Sequence, residues 1–539
     1  MRIKEVKDIL KRVIVFTVVC MVVLSAGISS RLYASERKFN MTYAYFGNSS
    51  TFSAYLDRAS NSLNEVAPDY FGINQDGSLK LTTKLNTSFI ISTQEKGIKV
   101  VPFISNHWDR QLGRTALANR EQLAQQLADA VMQLNLDGVN VDIENLNETD
   151  RDAYTDFVRL IREKLPSDKT VSVAVAVNPY NSTKGWNASY DYANLAKYSD
   201  YLMLMAYDES YESSPEGPVA GAEFVEKSIK YALERVPADK IVLGIPFYGR
   251  YWISGKSYGG YGISNNIVES LIEQYNGKVI YDYRKQSPKA VIKIGANDPP
   301  FYLSGRKMQP GTYTIWYENV QSIKYKLSLV SKYNLKGTGS WSLGQETDYT
   351  WKYYNLWLNG VYFGDVEKNW AREAILTSTL NGWFKGVSST QFMPDNYLTR
   401  AEAAAILVRA LNLEDTGEES EFPDTGGHWA EREIRIAKQH NIIKGDDSGY
   451  FLPNEPISRE QMAVMLERVL SGLEENGYSS VRYWDVTRED SSWSYDAIMR
   501  VSQSGIFNGY PDNGFYPEHK ITRGQMAQLM CRAEKFFGK

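Results

Sequence analysis

Eight short apolar runs, each followed by a helical pattern, constrain the fold of the chain up to residue 343. The runs are rich in β-branched residues and apolar at most positions, which is typical of parallel strands covered on both faces. In one helical stretch, Asn119 and Gln122 resemble a capping box ahead of leucines at helical spacing. Eight alternations of strand and helix predict an α/β fold, a closed (β/α)8 barrel. The predicted strands are 39–46, 66–73, 98–104, 136–143, 170–177, 200–206, 241–247 and 338–343.

The fourth run carries acid or amide side chains at every second position, in Asp137-Gly-Val-Asn-Val-Asp-Ile-Glu144. Strand geometry puts Asn140, Asp142 and Glu144 on one face. Buried acids cost free energy, and acids close together raise each other's pKa, which suits general acid catalysis. A solvated edge strand or a calcium loop is the alternative, although a calcium loop favours flexible Gly-rich backbone. The pattern favours a catalytic site at the C-terminal end of a barrel strand.

The region 251–313 interrupts the alternation of strand and helix. It is rich in Tyr and Gly and contains short strand-like pieces, which predicts a small α+β insertion beside the substrate cleft. The formal net charge of −4 excludes a strongly basic surface for nucleic acid. The four histidines lack the spacing of a metal site, so neither a metal nor a cofactor is expected.

The N-terminal residues 1–34 have the composition of an export signal. Five basic residues precede an apolar run at 13–28, and Leu32-Tyr-Ala34 suits a cleavage site. An uncleaved membrane anchor is the alternative, although 16 residues are short for a membrane span. Of the two cysteines, Cys20 lies in this signal, so an internal disulfide is not expected in the mature chain.

Three copies of one unit follow the predicted barrel. In each copy a tryptophan stands 30 residues before an arginine, with a glycine 14 residues before that arginine. Agreement at so many fixed offsets predicts three repeats with an all-α-rich fold and three equivalent grooves between them. In the third copy, Asp485 precedes Trp493 by eight residues instead of five, which predicts that its groove is altered. The predicted ranges are 39–358 for the barrel and 361–412, 420–471 and 481–537 for the repeats.

The barrel region resembles glycoside hydrolase family 18, in particular its branch active on peptidoglycan and spore cortex. The resemblance rests on the acidic strand together with Met203-Leu-Met-Ala-Tyr-Asp208, Gly244-Ile-Pro-Phe-Tyr-Gly-Arg250 and Gly339-Ser-Trp341. It implies a (β/α)8, or TIM, barrel. It also implies a substrate-assisted retaining reaction, in which the N-acetyl oxygen of the sugar attacks the anomeric carbon.

The resemblance assigns a role to each matching residue. Glu144 is expected to act as the general acid, and Asp142 to orient the acetamido group and stabilise the oxazolinium intermediate. Tyr207 is expected to hydrogen-bond to the acetamido oxygen, and Trp341 to form the apolar floor. A packing role is the alternative for these two aromatics. The other residues expected to bind substrate are Asp137, Asn140, Asp208 and Arg250.

Two positions depart from the usual family pattern. Asn140 stands where an acid is common, so Asp142 lacks a second carboxylate with which to share a proton. We expect this change to affect the pH profile rather than the mechanism. The third strand, Ile98-Lys-Val-Val-Pro-Phe-Ile-Ser-Asn106, lacks the Ser-x-Gly-Gly of chitinases. Both departures favour N-acetylglucosaminidases of the cell wall or spore cortex.

The repeats resemble S-layer homology modules, on the signatures Leu398-Thr-Arg-Ala-Glu402, Ile457-Ser-Arg-Glu-Gln461 and Ile521-Thr-Arg-Gly-Gln525. Such modules hold proteins to secondary cell-wall polysaccharides, often through a pyruvylated sugar. The arginines are expected to bind its carboxylate and the aspartates to contact sugar hydroxyls. The tryptophans are expected to pack the repeat, with stacking on a sugar ring as the alternative. The residues in question are Arg400, Arg459 and Arg523; Asp365, Asp424 and Asp485; and Trp370, Trp429 and Trp493.

The leading hypothesis is a secreted hydrolase, attached to the bacterial cell wall or S-layer, that cleaves β-1,4 bonds after N-acetylglucosamine in peptidoglycan. One alternative is a chitinase or an endo-β-N-acetylglucosaminidase acting on an external polymer. The other is a non-catalytic wall-bound lectin or S-layer component. The expected partners are a glycan that contains N-acetylglucosamine and a secondary cell-wall polysaccharide, and not nucleic acid.

Overall fold

A computed structural model describes residues 37–59, 62–419, 421–470 and 482–537. The predicted export signal lies outside the described residues. Within the described residues, the predicted (β/α)8 barrel is confirmed. Its strands are β1 Phe39–Ala44, β2 Glu65–Pro68 with β3 Phe71–Ile73, β5 Lys99–Val100 with β6 Phe103–Ser105, β7 Gly138–Asp142, β8 Thr170–Ala176, β9 Tyr201–Met205, β10 Ile241–Pro246 and β18 Gly337–Trp341.

The barrel strands pair in parallel and close into a ring. The sheet runs through β6, β7, β8, β9, β10, β18, β1 and β2, and the ring closes where β2 pairs with β5 and β3 pairs with β6. The second and third barrel strands are each interrupted, the third at Pro102, which has no backbone N–H to donate to a neighbouring strand. A short strand, β4 Leu79–Leu81, pairs antiparallel with β3.

Helices cover the outside of the barrel and bury their apolar faces against it. In β7, Val139 and Val141 point to these helices and are fully buried, as is Ile143 directly after the strand, while the alternate side chains point into the barrel. The predicted capping box at Asn119 is wrong: the helix begins at Arg120, but the Asn119 amide donates to the carbonyl of Asp76. The helices are α1 Ser49–Ala59, α2 Thr87–Glu95, α3 Arg110–Ala118, α4 Arg120–Gln133, α5 Arg151–Lys164, α6 Tyr192–Tyr198, α7 Ala222–Leu233, α9 Val320–Lys332 and α10 Thr350–Leu358.

A second sheet lies between β10 and α9, where the sequence predicts an insertion. Its strands are antiparallel, in the order β12-β11-β17-β14-β13, and a helix packs beside them on an apolar core of its own. Because β11 directly follows β10, this sheet begins at the C-terminal end of a barrel strand. The elements are β11 Tyr248–Ile253, β12 Tyr261–Ser264, α8 Asn265–Gln274, β13 Lys278–Asp282, β14 Ser287–Ile294, the hairpin β15 Tyr302–Leu303 with β16 Arg306–Lys307, and β17 Gly311–Trp316.

The repeats form a helical region with its own apolar core. The second helix of each repeat begins with an arginine and carries a full capping box at its N-terminus, from Thr399, Ser458 or Thr522. Short bridges join the segments before these helices, from Thr399 to Pro456, from Ser458 to Lys520 and from Tyr397 to Thr522. The helices are α11 Arg372–Leu380, α12 Arg400–Ala410, α13 Glu431–Gln439, α14 Arg459–Val469, α15 Tyr495–Gln503 and α16 Arg523–Ala533.

Candidate active site and wall-binding grooves

The two candidate catalytic carboxyls lie at the C-terminal end of β7. Asp142 is the last residue of the strand and is 5% exposed, whereas Glu144 lies two residues beyond and is half-buried. Within the described residues, Oδ1 of Asp142 is buried without a hydrogen-bond partner. A buried polar atom of this kind carries an energetic cost that a ligand can remove. The strand therefore presents one unsatisfied carboxyl oxygen inside the barrel and one carboxyl at its mouth.

The protonation of both carboxyls is shifted toward the neutral acid. Burial raises the pKa of Asp142 to about 7. Burial, together with the charges of Asp142 and Asp208, raises the pKa of Glu144 well above its ordinary value. A carboxyl that stays protonated near neutral pH can donate a proton to a leaving group. Glu144 therefore has the protonation state that a general acid requires.

The backbone that carries Glu144 is held by side chains from three neighbouring segments. The amide of Asn106 accepts the Glu144 N–H at 2.8 Å and donates to the Glu144 carbonyl at 2.9 Å. The Tyr190 hydroxyl donates to the carbonyl of Ile143, and the Tyr154 hydroxyl accepts its N–H. The motif analysis missed these residues. The position of Asn106 directly after a predicted strand was the available signal for it.

Asn140 is fully buried beneath Asp142. Its Oδ1 accepts a hydrogen bond from the Tyr43 hydroxyl at 3.0 Å, and its Nδ2 donates to the Ser172 hydroxyl at 2.8 Å. Asn140 therefore joins three barrel strands, and its amide is already satisfied by the protein. The structure places it below the candidate cleft, in the position of a support for Asp142.

Aromatic rings form one wall of the site around Trp341, at the end of β18. The Trp341 ring lies 5.3 Å from Tyr43, 5.4 Å from Tyr45 and 6.3 Å from Phe103, measured between centroids. The peptide bond between Trp341 and Ser342 is cis. Tyr43 and Phe103 are buried, whereas the half-buried rings of Trp341 and Tyr45 are suited to the apolar face of a sugar ring. Tyr43, Tyr45 and Phe103 are further members of the site that the sequence motifs did not reveal.

Tyr207, Asp208 and Arg250 come together in the segments that follow β9 and β10. Asp208 accepts two hydrogen bonds from the Arg250 guanidinium, at 2.7 and 3.2 Å, and has a positive φ of 56°. Arg250 also donates to the carbonyl of Gly260 in the inserted region. The Tyr207 ring packs edge-on against Tyr248 at 6.1 Å. This ion pair ties the loop after β9 to β11 and fixes the edge of the site.

Asp137 does not reach this site, so its predicted role in substrate binding is corrected. It precedes β7 and thus lies at the opposite end of the strand from Asp142. Its Oδ2 accepts hydrogen bonds from the Val100 N–H at 2.8 Å and from the Gln94 amide at 2.9 Å. These contacts join two strands and a helix at the N-terminal end of the barrel. Active sites of this fold lie at the other end, so a catalytic role is not expected here.

The repeat aspartates accept hydrogen bonds from the backbone, and their contact with sugar hydroxyls stays a prediction. Asp424 accepts the N–H groups of Phe451 and Leu452 at 2.9 and 2.7 Å. Asp365 and Asp485 hold the equivalent loops of the first and third repeats in the same way. The extra residues between Asp485 and Trp493 therefore leave the backbone contacts of the aspartate unchanged, and the alteration of the third groove stays a prediction.

Each repeat arginine reaches into the next repeat. Arg400 donates to the carbonyls of Phe451 and Lys444, and Arg459 to those of Phe515 and Asn508. Arg523 donates to the carbonyls of Phe392 and Lys385 in the first repeat and pairs with Glu402. The arginines thus fix the boundary between repeats, besides any ligand they bind.

A groove runs along one of these boundaries and has a cavity of about 600 Å³. Arg400, Lys444, Arg468 and Lys520 line it, together with Gln461 and Trp493. Trp370, Trp429 and Trp493 are 65%, 61% and 58% exposed, so the prediction that they mainly pack the repeat is wrong. Cationic groups beside exposed indole surface can hold an anionic sugar.

Metal binding and membrane insertion are two further properties that the described residues address. Groups of three or more His, Cys, Asp or Glu side chains able to hold a metal ion are absent from the described ranges. In the same ranges, the helices are too short or too polar to cross a membrane.

Comparison with known proteins links each half of the chain to a family. Residues 23–346 match the family described as Glycosyl hydrolases family 18, and residues 362–404, 421–463 and 483–527 match the S-layer homology domain. A glycosylase of Bacillus subtilis (strain 168), YvbX, which is described as uncharacterized, is 25% identical over 58% of this chain and 90% of its own length.

Two further relatives extend the comparison. The cortical fragment-lytic enzyme of Bacillus subtilis (strain 168) is 25% identical over 52% of this chain, which spans 64% of that enzyme. The crystal structure of a chitinase from Chromobacterium violaceum superposes with a TM-score of 0.53 at 27% identity, over 60% of this chain and 99% of the chitinase. Both relatives cover the barrel half alone.

Proposed function

The chain belongs to glycosyl hydrolase family 18, and from that premise we propose that it cleaves the β-1,4 bond after N-acetylglucosamine in peptidoglycan. It is a glycoside hydrolase that also carries three S-layer homology repeats, which indicate attachment to the cell surface. The observation that carries the proposal is the pair formed by a buried Asp142 and a Glu144 with a strongly raised pKa at the mouth of the barrel.

The reaction follows from the positions of the side chains. Glu144 donates its proton to the glycosidic oxygen as the bond breaks. The unpartnered oxygen of Asp142 receives the N–H of the substrate acetamido group, whose own oxygen attacks the anomeric carbon. Tyr207 holds the acetamido group from the other side, and Trp341 supports the sugar ring. Deprotonated Glu144 then activates the water that opens the oxazolinium intermediate.

Peptidoglycan is the proposed substrate because of the second half of the chain. We propose that the repeats hold the secreted enzyme to a secondary cell-wall polysaccharide, with an anionic sugar in the groove of Arg400 and Trp493. Retention at the wall raises the local concentration of the barrel beside its polymer. The similarity to a cortical fragment-lytic enzyme supports the same substrate class.

The test compares the protein with its Glu144→Gln variant on purified peptidoglycan and on chitin oligomers, with products identified by mass spectrometry. We expect fragments ending in reducing N-acetylglucosamine from peptidoglycan, and a rate lower by about 10²–10⁴-fold in the variant, because the proton donor is lost. Cleavage of chitin oligomers alone would favour the chitinase, an alternative that the similarity to a chitinase supports. Binding without cleavage of either polymer would identify a lectin.

A further inference from the structure

A line of buried polar side chains crosses the barrel interior beneath Asp142. The Tyr43 hydroxyl donates to Asn140, whose amide nitrogen donates to Ser172. Ser172 and Tyr201 are register partners on β8 and β9, and the Tyr201 hydroxyl donates to the carboxylate of Glu65. All five side chains are at most 1% exposed. The line therefore runs from the candidate active site to a carboxylate on β2.

The bonds along this line have a fixed direction. Asn140 turns its oxygen to Tyr43 and its nitrogen to Ser172, so the Ser172 oxygen accepts and its own proton is available to Tyr201, the register partner of Ser172 on β9. The Tyr201 proton is in turn committed to Glu65. A line of donors that all point one way must end on a group that only accepts, and an ionised carboxylate is such a group. In a low-dielectric interior, consecutive bonds of this kind strengthen one another.

The direction of the line matters for Asp142. Because the Tyr43 proton is committed to Asn140, it is not shared with the neighbouring carboxyl. Within the described residues, Oδ1 of Asp142 accordingly keeps no partner and stays available to a ligand. If the Asn140 amide flipped, its nitrogen would face Tyr43, and the freed Tyr43 proton would compete with substrate for Asp142.

Glu65 is placed to respond to pH. Burial raises its pKa to about 7, against the hydrogen bond from Tyr201 and the charge of Lys99, while Asp137 and Asp200 raise it further. Glu65 is ionised above this range and accepts from Tyr201. Below it, a protonated Glu65 can donate, and the direction of the line is no longer fixed.

We propose that Glu65 is a positioning residue for the hydrolysis, which acts through Tyr201 and Ser172 to hold the Asn140 amide and the Tyr43 hydroxyl in the orientation that Asp142 requires. The inference rests on the proposed function. The usual family pattern has an acid at the position of Asn140. In this chain Glu65 would supply a buried carboxylate instead, acting on Asp142 from a distance.

The test measures kcat and KM against pH for the full chain and two variants, Glu65→Gln and Tyr201→Phe. Glutamine keeps the size of Glu65 without the charge, and phenylalanine cuts the line but keeps Glu65. We expect both to lower kcat about tenfold with KM unchanged, because a misplaced carboxyl slows the chemical step. The Glu65→Gln profile should also become less steep near pH 7, because Asp142 alone then titrates there, whereas Glu65 and Asp142 both do so in the full chain.

Thr338→Val is the matched control. Thr338 is fully buried in the same barrel and donates to Asn40, outside the line. We expect its kcat profile to match that of the unchanged protein. Profiles of Glu65→Gln and Tyr201→Phe that keep their shape, or that fall by the same factor at every pH, would overturn the positioning role.

A binding measurement separates this inference from the proposed function. The probe is the thiazoline analogue of N-acetylglucosamine, a stable mimic of the oxazolinium intermediate, titrated by calorimetry. We expect Glu65→Gln to bind it about tenfold more weakly than the unchanged protein. Weaker binding in the variant without hydrolysis by either protein would reject the proposed function and keep the positioning role. Unchanged affinity, or no binding to the unchanged protein, would overturn the inference.

Discussion

At the scale of single residues, the site combines one satisfied amide with one carboxyl oxygen that is not satisfied by the protein. Asn140 has partners on both sides, whereas Oδ1 of Asp142 is without one among the described residues. This arrangement costs stability, since the buried carboxyl is kept for a ligand and not for the fold. The same burial disfavours the charged form of Asp142 and so raises its pKa.

The raised pKa of Asp142 predicts a pH dependence of stability. Its folded-state pKa of about 7 lies above that of the unfolded chain, so the folded protein holds a proton that the unfolded chain releases. The stability contribution is complete below about pH 4 and is lost as the pH rises toward about 7. We expect Asp142→Asn to flatten this part of the curve of unfolding free energy against pH, measured by denaturant titration.

The control is Asp348→Asn, which changes a carboxyl whose side chain is 90% exposed. We expect its curve to follow that of the unchanged protein. An Asp142→Asn curve with the original slope between pH 4 and 7 would mean that Asp142 does not carry the buried proton.

At the scale of elements, the repeats use the same charged residues to fold and to meet one another. Each aspartate holds a loop through backbone N–H groups, and each arginine reaches the loop of the next repeat. Removal of an acceptor leaves two N–H groups without their bonds, at a cost of about 1–3 kcal/mol when they are buried. The signature residues of the repeats are therefore structural before they are ligand-binding.

This role predicts a large effect of Asp424→Ala on stability. We expect the unfolding free energy of the repeats to fall by about 1–3 kcal/mol, because Phe451 and Leu452 lose their shared acceptor. Asp447→Ala, at an exposed carboxyl that lines the groove, should change stability little. Denaturant unfolding of the two variants measures the difference. Equal unfolding free energies of the two variants would mean that Asp424 does not stabilise the repeat, and would favour its predicted role in ligand binding.

At the scale of the whole molecule, the barrel and the repeats share a border. The chain from Asn40 onward forms one compact unit. Lys324 and Lys352 of the barrel helices pair with Glu367 and Glu373 of the first repeat, and Trp357 packs on Tyr362 at 4.4 Å. Contacts of this kind restrict the freedom of the barrel relative to the first repeat, so binding of the repeats to a wall polymer, as proposed, would fix the direction in which the cleft faces.

Because wall binding and hydrolysis are assigned to different sites, we expect a substitution in the groove to reduce wall binding without reducing hydrolysis. We expect Trp493→Ala to lower the fraction of protein retained on purified cell walls several-fold, because exposed indole surface is lost from the groove. Cleavage of soluble oligomers and the melting temperature should be unchanged. Sedimentation with walls and an oligomer assay measure the two properties. Retention equal to that of the unchanged protein would exclude Trp493 from the binding surface.

The sequence predicted the barrel and the repeats because their signals are periodic and local. Alternation along β7 identified the inward face of Asn140 and Asp142, and fixed offsets identified the repeats. Asn106, Tyr43 and Glu65 were missed because their roles depend on contacts between strands far apart in the chain. Asp137 was misassigned because a motif does not record which end of a strand lies at the cleft.

The return of Arg523 to the first repeat turns three units in series into a closed circle. An open array of repeats frays from its ends, and its outermost members need protecting caps. A circle has no outermost member, so each unit is held on two sides. Loss of one unit breaks two boundaries at once, and the remaining two units can no longer form a closed circle. Shortening this anchor by a third should thus abolish it rather than weaken it in proportion.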